Sequence, residues 1–150
     1  MFTGYHINTI DKKGRTSMPA SFRSELGDEA YLSVGIDKNL VIYSTAHFKA
    51  MAEEIGKLSL ADPTARVFRR RMFNKAEMIE IDASGRFVIP AYLREELSTE
   101  PLEKVVFAGS DDYIEIWTPE GWNIAEQQAF RNEAMTSDFA TLMDKPWRKE

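Results

Sequence analysis

The sequence predicts an α+β fold in which two tandem β/α units interlock as an intramolecular pseudo-dimer. Three observations lead there. A block running from Ile10-Asp11 through Gly14-Arg15 and Pro19 to Phe22-Arg23 and Leu26 returns 71 residues later, from Ile81-Asp82 through Gly85-Arg86 and Pro90 to Leu93-Arg94 and Leu97, with nine of seventeen positions identical and no gap. Each copy has the same local pattern of strand, tight turn, returning strand and short helix. Each unit is about 70 residues long, a size at which one core is marginal alone, and its short strands leave edges that seek partners. Two units sharing their edges resolve both problems, and no Gly/Pro/Ser-rich linker holds them apart.

Taken in order, Tyr5 to Ile10 and Ala76 to Ile81 read as short strands. Both end in Asp-x-x-Gly, with Asp at the first and Gly at the fourth place of a tight turn. Arg15–Met18 and Arg86–Ile89 are the returning strands. Pro19 and Pro90 follow, where the first turn of a helix tolerates a missing N–H. Phe22 with Leu26, and Leu93 with Leu97, are four apart and face one way on a short helix. The likeness continues more weakly at a spacing of 74, matching Gly35, Asp37, Leu40, Ile42, Tyr43 and Phe48 with Gly109, Asp111, Ile114, Ile116, Trp117 and Trp122. Two further strands are expected in each unit, near Tyr31–Val34 with Asn39–Tyr43, and near Lys104–Ala108 with Tyr113–Thr118. A helix closes each unit, the first carrying an apolar stripe of Phe48, Met51, Ile55 and Leu58. Asp62-Pro63 starts another helix, Asp as cap and Pro at its first position. The expected organisation is a first unit over 1–60, an Arg-rich connecting helix over 61–75, a second unit over 76–135, and a loose polar tail over 136–150.

The chain has 150 residues, of which 43% are hydrophobic and 29% charged, an ordinary balance for a globular protein. No apolar run approaches a membrane span, and the first twenty residues carry no export signal. Without cysteine there are no disulfides, thiolate sites or cysteine nucleophile. The expectation is a cytoplasmic protein. The net charge of −5 conceals an asymmetry. Residues 1–75 hold twelve Lys/Arg against eight Asp/Glu, a net of +4, whereas residues 76–150 hold seven against sixteen, a net of −9.

The basic half concentrates its cations at the first turn. A turn ending in Gly-Arg presents arginine at the start of a strand, and the planar guanidinium suits phosphate oxygens and the O6/N7 edge of guanine. Asp11-Lys12-Lys13-Gly14-Arg15 places three cations in four residues, with Arg23 one short helix away. The copy, Asp82-Ala83-Ser84-Gly85-Arg86, keeps the scaffold and loses both lysines. The bland reading of either arginine is an ion pair with its own turn aspartate. That reading is favoured for Arg86; for Arg15 the flanking lysines favour a polyanion. The first unit is thus expected to face the ligand and the second to complete the fold or contact neighbours.

The Met1-Phe2-x-Gly4 opening, the Asp11-x-x-Gly14-Arg15…Pro19-x-x-Phe22-Arg23 block and its copy at Asp82-x-x-Gly85-Arg86…Pro90-x-x-Leu93-Arg94 resemble the MraZ family, whose fold is of the AbrB-like, swapped-hairpin kind. The resemblance covers the chain apart from its tail. It implies two tandem AbrB-like units forming the pseudo-dimer, with flanking helices. It further implies a bacterial DNA-binding regulator of the division and cell-wall gene cluster, one that represses its own promoter. A closed ring-like homo-oligomer, nucleoid association and recognition of short G-rich direct repeats in double-stranded DNA belong to the same implication. The family's DNA-contacting turn falls on Lys12, Lys13, Gly14 and Arg15. Arg23 and Arg86 complete the candidate DNA-binding set. One chain offers few turn cations, so repetition around a ring would be needed for tight binding.

Other constellations are weaker. Arg66, Arg69 and Arg70 share a helical face. This basic run, with Arg71 and Lys75, is either a second phosphate track or, the favoured account, pairs with acidic residues of the neighbouring half or subunit. Phe68 and Met72 read as core. The adjacent acids Glu53-Glu54, Glu95-Glu96 and Asp111-Asp112 point apart and are poor acid/base dyads. His6 and His47 lack ligand spacing, and no P-loop or Gly-x-Gly-x-x-Gly element is present. No enzyme activity, cofactor, metal, membrane or small-molecule substrate is expected. The competing functional class is a protein-interaction module of the same fold, an antitoxin-like partner acting through the acidic half without direct contact to DNA.

Overall fold

The returning strands do not pair with the strands they return from. In a computed structural model that describes residues 1–129, 131 and 133–144, β1 (Tyr5–Thr9) lies antiparallel to β7 (Lys104–Ser110) of the second repeat. Reciprocally, β5 (Glu77–Glu80) lies antiparallel to β3 (Glu29–Val34) of the first. The short strands β2 (Arg15–Ser17) and β6 (Arg86–Val88) pair only with each other, as a separate two-stranded ribbon. With β4 (Leu40–Ser44) and β8 (Tyr113–Trp117), the six remaining strands form one sheet in the order β1-β7-β8-β4-β3-β5. The first hairpin of each repeat is therefore exchanged, and the edge problem of the isolated units disappears into shared ladders.

Register makes the internal symmetry explicit. In the ribbon, Arg15 faces Val88 and Ser17 faces Arg86, two pairs that are images of one another at the 71-residue repeat, while Thr16 faces Phe87, its own image. In the sheet, Val41 faces Glu115, again its own image at the spacing of 74, flanked by the mutual images Leu40–Ile116 and Ile42–Ile114. A pseudo-twofold axis runs through both pairs. The repeats differ in the turn that follows β3 and β7. The first uses Gly35 to Asn39, whereas the second turns on Asp111-Asp112 alone, with Asp111 at φ 66°. The chain start closes on that second turn, Phe2 N–H donating to the Asp111 carbonyl at 2.7 Å and Asp111 N–H to the Phe2 carbonyl at 2.9 Å.

The two faces of the sheet bury different sets. On one, Ala30, Leu32, Val34, Leu40, Ile42, Val105, Phe107, Ile114 and Ile116 pack with Phe22 and Leu26 of α1 (Ala20–Leu26), Leu93 and Leu97 of α4 (Ala91–Leu97), and Phe87 and Ile89 of the ribbon strand and its exit. Both helices start immediately after proline, whose carbonyls accept from the Phe22 and Arg23 amides in α1 and from the Leu93 and Arg94 amides in α4; a residue at the head of a helix donates no intrahelical bond, so the missing proline N–H costs none. On the other face, Val41 and Tyr43 pack with Phe48 and Ile55 of α2 (Thr45–Gly56) and Met72 of α3 (Pro63–Asn74). Ser44 caps α2 through the His47 N–H. Asp62 caps α3 through the Thr64 N–H, with Pro63 in the first helical position as the sequence predicts.

Two expectations are corrected. Met72 is buried as read, but Phe68 is 40% exposed, and its neighbour Val67 is also exposed; a 12-residue helix laid on a sheet buries a narrower stripe than its apolar content suggests. The segment from Thr136 is no open tail through its first half, because α6 (Glu133–Met143) continues through it. Met135, Phe139 and Leu142 recur there at helical spacing, while residues 145–150 lie outside the described ones. Most of α5 (Pro119–Gln128) and all of α6 belong to a compact unit other than Met1–Pro119. Among the described residues no helix is long and apolar enough to cross a membrane.

Since both repeats contribute to one core, Met1–Pro119 is expected to unfold in a single cooperative step. Phe107→Ala removes a ring that is fully buried and meets Phe87 edge-on at 6.1 Å. It should cost about 3–5 kcal/mol in a denaturant titration followed by both fluorescence and circular dichroism. Two separate transitions would contradict the shared core.

Candidate nucleic-acid interface

Each Asp-x-x-Gly-Arg turn is a closed hydrogen-bonded unit built round one carboxylate. Gly14 N–H donates to the Asp11 carbonyl at 3.0 Å, and Asp11 N–H donates to the Arg15 carbonyl at 3.0 Å. Asp11 Oδ1 accepts from the Lys13 and Arg15 amides, both at 2.9 Å, and Oδ2 accepts from Arg15 Nε at 2.6 Å. The second turn repeats every one of these contacts through Asp82, Ser84, Gly85 and Arg86, with the Nε contact longer at 3.3 Å. Gly14 and Gly85 sit at φ 86° and 85°, left-handed backbone that other residues adopt only with strain. The amide of Arg15, then its side chain, holds the Asp11 carboxyl below its usual range, and the Arg86 amide does the same for Asp82.

The turns are locked across the pseudo-axis. Ile89 N–H donates to the Gly14 carbonyl at 2.8 Å, and Met18 N–H to the Gly85 carbonyl at 2.7 Å. The helix arginines also cross over. Arg94 Nη1 donates to the carbonyl of Lys13 at 3.2 Å and to that of Ile89, and Arg23 Nη1 reaches the Ala83 carbonyl at 3.5 Å. Arg23 thus lies at the second turn and not at the first, because hairpin exchange carries α1 to the opposite copy. Arg94, absent from the candidate set, takes the matching place at the first. The only signal for it in the sequence is its position 71 residues after Arg23.

Between the turns runs the β2–β6 ribbon. Its inward residues, Thr16 and Phe87, are buried, which leaves Arg15, Ser17, Arg86 and Val88 on the outward face. Lys12, Lys13, Arg15 and Arg86 are all exposed. Two shallow grooves flank the ribbon, each lined by both Arg15 and Arg86. The groove beside β1 adds Ile7, Asn8, Thr9 and Asp11; the groove beside β5 adds Met78, Glu77, Glu80 and Asp82. The first is therefore cationic and the second acidic.

Several of the remaining candidates have structural partners. Arg71 and Lys75 both bond Glu96 of the second repeat, at 3.2 and 3.4 Å. The partial burial of Glu96 acts to raise its pKa, but these two cations outweigh it and the net direction is down. Glu96 is thus a bridging residue and no free surface acid. Arg66 Nη1 donates to the Leu60 carbonyl at 2.8 Å. His6 Nε2 lies 3.2 Å from Ser21 Oγ and meets the Phe22 ring edge-on, while His47 stacks on Tyr43.

The comparisons with known proteins agree in direction. The family model described as "MraZ protein, putative antitoxin-like" matches residues 1–71 and again 72–145. The chain is 37% identical over 144 residues to a "Transcriptional regulator MraZ" of Thermomicrobium roseum, covering 95% of this chain and 100% of that protein. It is 41% identical over 145 residues to a protein of the same description from Thermoanaerobacter pseudethanolicus, covering 97% and 98%. A third, from Finegoldia magna, is 41% identical over 122 residues, covering 81% and 84%.

Two outcomes follow from the turn geometry. Gly14→Ala forces a Cβ into the Arg94 guanidinium and the Ile89 carbonyl at a positive φ, and should lower stability by about 1–3 kcal/mol in urea melts. Because the native pKa of Asp11 and of Asp82 is lowered, each carboxylate stabilises the fold above the ordinary aspartate range, and that contribution is lost as pH falls through the lowered value. Carboxyl carbon NMR titration should give both residues midpoints below the ordinary one, and Arg15→Ala should move that of Asp11 upward.

Proposed function

The chain belongs to the MraZ family of transcriptional regulators, and on that premise we propose that it binds double-stranded DNA sequence-specifically through the ribbon and its first turn. The observation that carries the reading is the outward face of β2–β6. An antiparallel two-stranded ribbon fits the major groove of B-DNA, and arginine is the side chain best matched to guanine there. The ribbon bears Arg15 and Arg86 outward, and only the first of its two equivalent turns adds Lys12 and Lys13, beside the groove free of glutamate. In this reading Lys12 and Lys13 neutralise phosphates, Gly14 supplies the left-handed backbone that closes the turn between them and the arginine, and Arg15 reads base edges. Arg86 supplies a second outward fork, and Arg23 supports the opposite turn within reach of the same duplex.

A chain with a net charge of −5 and few turn cations binds weakly alone. We place the tight state in a homo-oligomeric ring that presents the ribbon repeatedly to short G-rich direct repeats, raising affinity through effective concentration. The target is the protein's own promoter region, with repression of the division and cell-wall cluster as the outcome, in a cytoplasmic, nucleoid-associated setting. A first unit over 1–60, a connecting helix over 61–75 and a second unit from residue 76 onward go with this reading, the first unit facing DNA.

Arg15→Ala should abolish binding to duplex from upstream of the gene while leaving the oligomer mass by light scattering unchanged. Wild-type affinity should fall linearly with salt on a log–log plot, and Lys12→Ala should reduce that slope by about one. A flat salt response, or a stoichiometric protein partner recovered without DNA, would move the assignment to the antitoxin-like interaction module.

A further inference from the structure

We infer that Arg94 of the second repeat is a positioning residue for the DNA-facing turn of the first, an inference that rests on the proposed reading of that turn. Its Nη1 bonds the carbonyls of Lys13 and Ile89, and the Ile89 N–H closes the loop onto the Gly14 carbonyl. Three chain segments are thereby fastened at one guanidinium: the turn, the exit of β6 and the helix α4. The space beside Gly14 is filled by that same guanidinium.

The first turn needs such a brace. Lys12 and Lys13 are adjacent, exposed and of like charge, and within the turn only the Asp11 carboxylate opposes their splaying. Arg94 bonds backbone carbonyls, which hold the lysine-bearing peptides in place without neutralising the lysines. A carboxylate in that position would hold the turn and cancel its charge. The reciprocal contact is looser: Arg23 reaches Ala83 at 3.5 Å, the outer limit of a hydrogen bond, at a turn with no lysines to restrain. The tighter grip thus falls on the turn that carries the charge.

The expected result for Arg94→Ala is an operator affinity reduced about tenfold with a salt slope equal to wild type, because no phosphate contact is lost. Arg94→Met keeps the aliphatic stem but donates to neither carbonyl and should not restore wild-type affinity. Without DNA, trypsin should cut after Lys12 and Lys13 faster in both variants, relative to cuts after Lys49 and Lys57. A slope reduced by about one would make Arg94 a direct phosphate contact. Full rescue by methionine would reduce its role to side-chain packing, and unchanged cleavage at the turn would remove the brace; each overturns the inference. Should wild type fail to discriminate operator from scrambled DNA, the DNA reading falls, and the cleavage ratio still decides whether Arg94 holds the turn.

Discussion

Neither repeat can close its own sheet, and the remainder of the structure depends on that constraint. β1 finds its ladder on β7, β5 finds its own on β3, and β2 and β6 have only each other. The exchange fuses two marginal units into one core in which Phe22 and Leu26 pack with Leu93 and Leu97 beneath one sheet. It also decides where the functional surface can form. The ribbon exists only at the crossing point, so its four outward residues come in equal parts from the two repeats, and each turn is held by a carbonyl contact and an arginine from the other copy.

Internal duplication separates what holds a turn from what decorates it. Aspartate, glycine and arginine recur in both turns because they form the hydrogen-bonded unit: one carboxylate accepting two amides and a guanidinium, and one glycine in left-handed backbone. The two middle positions point to solvent and carry no bond through their side chains, so Lys12-Lys13 and Ala83-Ser84 fit the same scaffold. The strands beside the ribbon diverge likewise, Ile7 and Thr9 standing where the other repeat has Met78 and Glu80. Potential at the ribbon is set by these near charges and little by the total of −5, because exposed charges beyond a Debye length are screened.

The sequence made the turns, strands and helix caps legible because each is local: Asp and Gly three apart, alternating apolar residues, Pro63 behind a capping Asp62. Partners were less so. The block from Arg15 to Met18 looks like a strand folding back on β1, and only the edge argument pointed to exchange. Arg23 sits one helix from the first turn in sequence and at the second turn in space, for the same reason. Arg94 bears no local mark at all. Phe68 was misjudged for a related cause: helical spacing shows which residues share a face, but whether that face meets a partner depends on where the sheet ends.

The two accounts of Arg15, an ion pair within the turn and a reader of DNA, are compatible at the level of atoms. Asp11 engages Nε at 2.6 Å. The fork that matches guanine O6/N7 or a phosphate uses the terminal Nη groups. Pairing through Nε fixes the guanidinium plane before any ligand arrives, which spares rotamer entropy that a free arginine would lose on binding. The same aspartate orders the Lys13 and Arg15 amides, so one carboxylate shapes the turn and aims its arginine together. At Asp82 the corresponding contact is 3.3 Å, and the second arginine is held less firmly. Within the proposed reading, the two outward arginines are equivalent in position and unequal in preorganisation, and the better-held one stands beside the lysines.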